Sequence, residues 1–153
     1  ASLAPSEMCI RDRRYTMKKE QKVDNWIKMT KYIHYIEAMI ERKLKEQYFL
    51  SIKEFYVLYE IYKSEHKKYK INDLIKVVDL SQSAMSRLIV RMENTETPLV
   101  YRQECVEDQR AMYIYLTGYG ENVTQKALNT YEQLLKQVNF KSISALANMD
   151  DNG

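Results

Sequence analysis

Apolar and polar positions along this chain repeat with two different periods, and those periods predict its elements. Trp26, Met29, Ile33, Ile36, Ile40 and Leu44 recur at spacings of three and four, one apolar stripe on a helix from about 24 to 47. "SIKEF" supplies the next helix start: Ser51 can accept from the amide three residues on, while Glu54 reaches back to the Ser51 amide. Ile52, Phe55, Leu58, Tyr59 and Tyr62 continue the inner face of that helix. It fades in "KSEHKKYK", which reads as an exposed helix end plus a solvated loop.

In "INDLIKVVDLSQSAMSRLIVRME" a short helix fits Asn72 to Val78, with Leu74, Ile75 and Val78 inward. A break follows at "DLS". Ser81 is then an N-cap for another helix, whose core stripe is Met85, Leu88, Ile89 and Met92. The opposite face carries Gln82, Ser83, Ser86, Arg87, Val90 and Arg91, and no acid lies between Ser81 and Met92. Two short helices with a tight connection, the second presenting small polar residues and arginines, make a helix-turn-helix.

Beyond the loop "ENTETP" the period changes to two. Leu99 to Cys105 and Ala111 to Thr117 read as the arms of a hairpin, with Met112, Ile114 and Leu116 alternating with Tyr113 and Tyr115. After Gly120 the helical period returns through Val123, Ala127, Leu128, Tyr131, Leu134, Leu135 and Val138, and "FKSISALANM" can form a last short helix. The expected fold is mainly α with a small β-hairpin wing, in the order α-α-(HTH)-β-β-α.

Composition agrees with that pattern. With 153 residues one domain is the natural prior, and only three glycines and two prolines favour long uninterrupted helices. The net charge of +3 permits a nucleic-acid partner without demanding one. Cys9 and Cys105 give neither a disulfide framework nor metal spacing, so a reducing cytoplasm is the simplest location. No apolar run approaches the ~18 residues of a membrane span. His34 reads as a satisfied, partly buried histidine and His66 as a solvated one, so no metal site is expected. Glu104 and Glu107 flank Cys105 and would raise its thiol pKa, which favours an inert cysteine.

The first sixteen residues, "ASLAPSEMCIRDRRYT", differ from the rest: they hold three of the eight arginines and no lysine. "EMCIRD" also matches the translation of a sequencing-library transposon adapter. Residues 1–16 are therefore expected to be non-native or disordered, with the native start at Met17. The expected division is then 17–50 as an N-terminal dimerisation helix, 51–117 as a winged core and 118–153 as C-terminal dimerisation helices.

The hairpin following the helix-turn-helix gives Asp108 and Arg110 a meaning. In an extended arm, residues two apart point the same way, so Asp108 is expected to brace the Arg110 guanidinium. A slim tip of this kind can enter a minor groove about 6 Å wide, where narrow A·T-rich stretches attract arginine. The helix starting at Ser81 would then lie in the adjacent major groove. Gln82, Ser83 and Ser86 would sit near base edges, Gln82 suiting adenine and Arg87 guanine or phosphate. Arg91 would position the helix on phosphate.

At these residues the chain resembles the MarR family of winged-helix transcriptional regulators, over about Trp26 to Val138. "DQRAMYIYLTGYG" matches the family's wing pattern at Asp108, Arg110, Leu116, Thr117 and Gly120. "LSQSAMSRLIVRMEN" looks like its recognition helix and "VYR" at 100–102 like the start of its wing. "SIKEFYVLYEI" is similar to the staphylococcal SarA-type branch. Pro98 stands in a loop where the family usually has a glycine. The resemblance implies a homodimer built from the first and last helices, binding a pseudo-palindromic operator in double-stranded DNA. It also implies an effector cavity bounded by the helices that carry Tyr32, Tyr35, Tyr56 and Tyr59, suited to a small aromatic molecule. The reading that follows is a DNA-binding regulator, a repressor, with no cofactor, no membrane partner and no enzymatic role. The alternative is a winged-helix interaction module that pairs with another protein and does not bind DNA. No phosphate-cradling glycine loop, nucleophile elbow or H-E-x-x-H motif supports an enzyme.

Overall fold

A computed structural model describes the backbone of residues 5–148 and the side chains of residues 18–145. Two units divide the chain: residues 1–38 with 137–153, and residues 39–136. Helix α1 (Pro5–Tyr48) is continuous through the boundary. The expected start near 24 therefore lies inside a longer helix. The side chains of residues 1–17, which include the whole foreign-looking segment of residues 1–16, lie outside the described residues.

In the first unit the predicted stripe is only partly covered: Ile36 is buried, Met29 and Ile33 are half-buried, and large side chains on and beside it stay exposed. Trp26 is 63% and Tyr35 69% exposed, and Phe140 of α6 (Phe140–Asn148) is 60% exposed. Tyr32 accepts from the Asn139 amide at 3.2 Å through its phenolic oxygen.

The second unit holds the core. Ile40 and Leu44 at the end of α1 are buried, as are Phe55, Val57, Leu58 and Ile61 of α2 (Ile52–Lys63). The capping box forms as expected, with the Glu54 amide donating to Ser51 Oγ at 3.1 Å and the Ser51 amide to Glu54 Oε1 at 3.2 Å. Helices α3 (Ile71–Val78) and α4 (Gln82–Glu93) are joined through Asp79, whose left-handed φ of 57° closes α3. The Ser81 hydroxyl accepts from the Ala84 amide at 3.1 Å, and Met85, Leu88, Ile89 and Met92 are all buried. Hairpin strands β2 (Val100–Cys105) and β3 (Ala111–Leu116) and helix α5 (Gly118–Leu135) complete the unit.

One expectation fails here. "KSEHKKYK" is not a solvated loop throughout: Lys68–Lys70 forms a strand, β1, antiparallel to β3, so the sheet order is β1-β3-β2. A tight turn leads into it, with His66 and Lys67 at φ 61° and 52°. Ser64 Oγ donates within that turn, lying 2.7 Å from the Lys68 carbonyl. Three residues are too few for a period of two to be visible, and the lysines hid the strand. Its pairing comes from β3, which is remote in sequence.

The base of the hairpin is clamped to α5. Thr117 caps α5 by accepting from the Gly120 amide at 2.9 Å. Its own amide donates to the Leu99 carbonyl at 3.0 Å, and its hydroxyl donates to the Pro98 carbonyl at 2.6 Å. A Cβ on Gly120 would overlap the Leu99 carbonyl oxygen, so only glycine permits this approach.

Candidate nucleic-acid interface

Helix α4 presents an uninterrupted outer face. Ser81, Gln82, Ser83, Ser86, Arg87, Val90 and Arg91 are all exposed, while the buried stripe lies opposite. The periodicity predicted both faces correctly because α4 is a regular helix with a local cap. The Arg87 Nε donates to the Ser83 carbonyl at 3.3 Å, which lays its stem back along the helix. The acid that ends α4, Glu93, is neutralised from the wing: Arg102 Nε of β2 stands 2.7 Å from Glu93 Oε1. That approach lies off the N–H line, so it is an ion pair rather than a directed hydrogen bond.

The wing tip differs from the expectation. Asp108 belongs to a short 3-10 turn (Val106–Asp108), not to an extended arm, and Gln109 and Arg110 follow with φ of 50° and 59°. The period-two argument that aligned Asp108 with Arg110 therefore does not apply. Asp108 instead accepts the Tyr113 hydroxyl at 2.7 Å and pairs with Lys70 Nζ at 3.4 Å. The Tyr113 bond, with help from Lys70 and Lys68, holds the Asp108 carboxyl below its ordinary value. The same bond to a carboxylate pushes the Tyr113 phenol up to about 12. Arg110 is exposed and enters no ion pair among the described residues, while its amide donates to the Cys105 carbonyl at 2.9 Å.

Sequence reasoning thus missed Lys70, Tyr113 and the Arg102–Glu93 pair. Lys70 and Asp108 are far apart in sequence, while the Tyr113–Asp108 and Arg102–Glu93 contacts close across a turn and a loop whose geometry no linear period reveals. The alternation holds towards the base of the hairpin, but Met112, expected on the inner face, is exposed near the tip. Val100, Ile114 and Leu116 are buried on the inner sheet face, while Tyr101 and Tyr115 stack on the outer face with centroids 5.1 Å apart.

The four tyrosines assigned to an effector cavity do not fall in one unit. Tyr32 and Tyr35 belong to the first, Tyr56 and Tyr59 to the second. Within the second, the Tyr56 and Tyr131 hydroxyls lie 2.9 Å apart, and Tyr59 stacks on Phe55 at 5.8 Å. A groove of about 690 Å³ in that unit is lined instead by Lys45, Phe49, Arg91 and Tyr119 among others. Cys105 is a free, half-buried thiol. Among the described residues, no group of acids, histidines and cysteines is placed to hold a metal, and no helix is long and apolar enough to cross a membrane.

A three-stranded sheet beside a helix-turn-helix, with helices before and after it, is the winged-helix architecture of MarR-type regulators. Solved structures agree on the fold. AbsC, a MarR family transcriptional regulator from Streptomyces coelicolor, is similar at TM-score 0.70 and 20% identity, over 97% of this chain and 92% of that one. Sco3205, a MarR family regulator from the same organism solved in complex with DNA, is similar at TM-score 0.69 and 15% identity, over 99% and 87%. The MepR–DNA complex of Staphylococcus aureus is similar at TM-score 0.59 and 23% identity, over 77% and 88%. No curated protein matches the chain in sequence. A family profile, transcriptional regulator SarA/Rot, matches residues 38–127, and the chain belongs to that family of transcriptional regulators.

Proposed function

We propose that this regulator binds a pseudo-palindromic operator in double-stranded DNA as a homodimer and acts as a repressor. The observation that carries this reading is the outer face of α4. Gln82, Ser83, Ser86, Arg87 and Arg91 are exposed together on a capped, well-buried helix whose only acid is already paired with Arg102. Small polar side chains and arginines at the start of such a helix suit base edges and phosphates in a major groove. Arg110, exposed at the wing tip, suits a minor groove.

Two structures similar to this one, Sco3205 and MepR, were solved bound to DNA, which supports carrying the same use of the fold to this chain. Dimerisation is supported by Trp26, Tyr35 and Phe140, large side chains left exposed in the first unit. Release by a small aromatic effector would draw on the half-exposed rings of Tyr56 and Tyr59.

A mobility-shift titration on the DNA upstream of the gene, at two salt concentrations, tests the reading. Affinity should fall steeply as salt rises, because phosphate contacts release counterions. Arg110→Ala should weaken binding by at least about 1 kcal/mol and leave the dimer intact. Salt-insensitive binding, or a co-purifying protein partner in place of DNA, would favour the interaction-module alternative.

A further inference from the structure

The wing tip is held by a contact that reaches outside its own hairpin. Lys70 of β1 stands directly opposite Tyr113 of β3 in register, and Lys68 Nζ lies 5.2 Å from the centroid of the Tyr113 ring. The Tyr113 hydroxyl and the Lys70 ammonium both meet the Asp108 carboxylate, at 2.7 Å and 3.4 Å. One carboxylate thus joins β1, β3 and the turn.

That turn carries a backbone cost. Gln109 and Arg110 both have left-handed φ, 50° and 59°, which side-chain-bearing residues adopt reluctantly. Such conformations persist where surrounding contacts over-determine them. The contacts present are the Arg110 amide on the Cys105 carbonyl and the grip on Asp108.

We propose that Tyr113 and Lys70 are positioning residues for the wing: by holding Asp108 they fix the reverse turn that carries Arg110 and leave its guanidinium without a carboxylate partner among the described residues. The consequence for DNA rests on the function proposed above; the fixing of the turn does not. The raised phenol of Tyr113 agrees with the geometry, since a proton shared with a carboxylate is harder to remove.

Tyr113→Phe removes only the hydroxyl and Lys70→Met only the charge. In the full chain, either should speed hydrogen exchange at the Arg110 amide by about threefold to tenfold. The Met85 amide, bonded to the Ser81 carbonyl in α4, should exchange as before. Lys70→Arg should restore slow exchange. For DNA, the probe is a duplex that the wild-type protein has selected from a random-sequence library. Both loosened variants should bind it about threefold to tenfold more weakly with an unchanged salt slope, because no phosphate contact is removed, whereas Arg110→Ala should lower the slope.

Unchanged Arg110 exchange in both variants overturns the proposal. Faster exchange with unaltered DNA affinity, while Arg110→Ala still weakens binding, overturns the link between turn and DNA. Faster exchange together with an Arg110→Ala protein that binds normally means that the wing's DNA role is what fails, and the fixing of the turn stands.

Discussion

Helix α4 and the wing tip are the two surfaces proposed to meet DNA, and they are held in opposite ways. The helix carries its own support: Ser81 caps it, and Met85, Leu88, Ile89 and Met92 on its inner side are buried. Its outer side chains point outward as a consequence of helical geometry alone. The tip, Val106 to Arg110, has no fully buried side chain. Its direction is imposed by Tyr113 and by Lys70 on a different strand. Damage to the helix should therefore appear first as lost stability, and damage to the tip as lost positioning in a folded protein.

The largest effects should come from the helix and from the base of the wing. Met85 is fully buried, so Met85→Ala should lower unfolding free energy by about 2–5 kcal/mol in urea titrations. Gly120→Ala forces a methyl group into the Leu99 carbonyl and should cost about 2–4 kcal/mol, since a backbone atom cannot swing aside. A Gly120→Ala protein as stable as wild type would show that the clamp between hairpin and α5 is looser than described.

Smaller changes sharpen the contrast. Ser81→Ala removes the α4 cap and should cost about 1 kcal/mol, read from the same titrations. In the turn before β1, His66→Gly should stabilise the protein by about 0.5–1 kcal/mol, because a left-handed φ penalises a Cβ. A loss of stability there would mean that the imidazole makes a contact worth more than the strain.

The smallest signal is a titration. Asp108 lies below its ordinary value of 3.8, so its tie to Tyr113 contributes above that pH and fades as pH falls through the lowered value. Tyr113 is raised from 10.0 to about 12, so its share is complete below pH 10 and is lost as pH rises through about 12. The tyrosinate absorbance difference between wild type and Tyr113→Phe should accordingly have its midpoint near 12. A midpoint at the ordinary value of 10.0 would deny the bond to Asp108.

Much of the fold was legible because its signals are local. The Ser51 box, the Ser81 cap, the α4 stripe and both hairpin arms each depend on residues within a few positions of one another. The same locality exposed the outer face of α4. Arg110 was correctly singled out as a tip residue, yet the reason given for it was mistaken. The alternation of β3 was extended into a turn where the backbone reverses through Gln109 and Arg110. Strand β1 was passed over because three residues rich in lysine carry no period.

From the sequence alone came the helices, the Ser51 and Ser81 caps and the two hairpin strands, all governed by energies between near neighbours on the chain. The tertiary structure decided the third strand, the approach of Gly120 to Leu99, the partners of Asp108 and the lack of an ion pair at Arg110 among the described residues. Those outcomes depend on which distant groups the folded backbone brings within a few ångströms, and charge pairing follows distance in space rather than order along the chain.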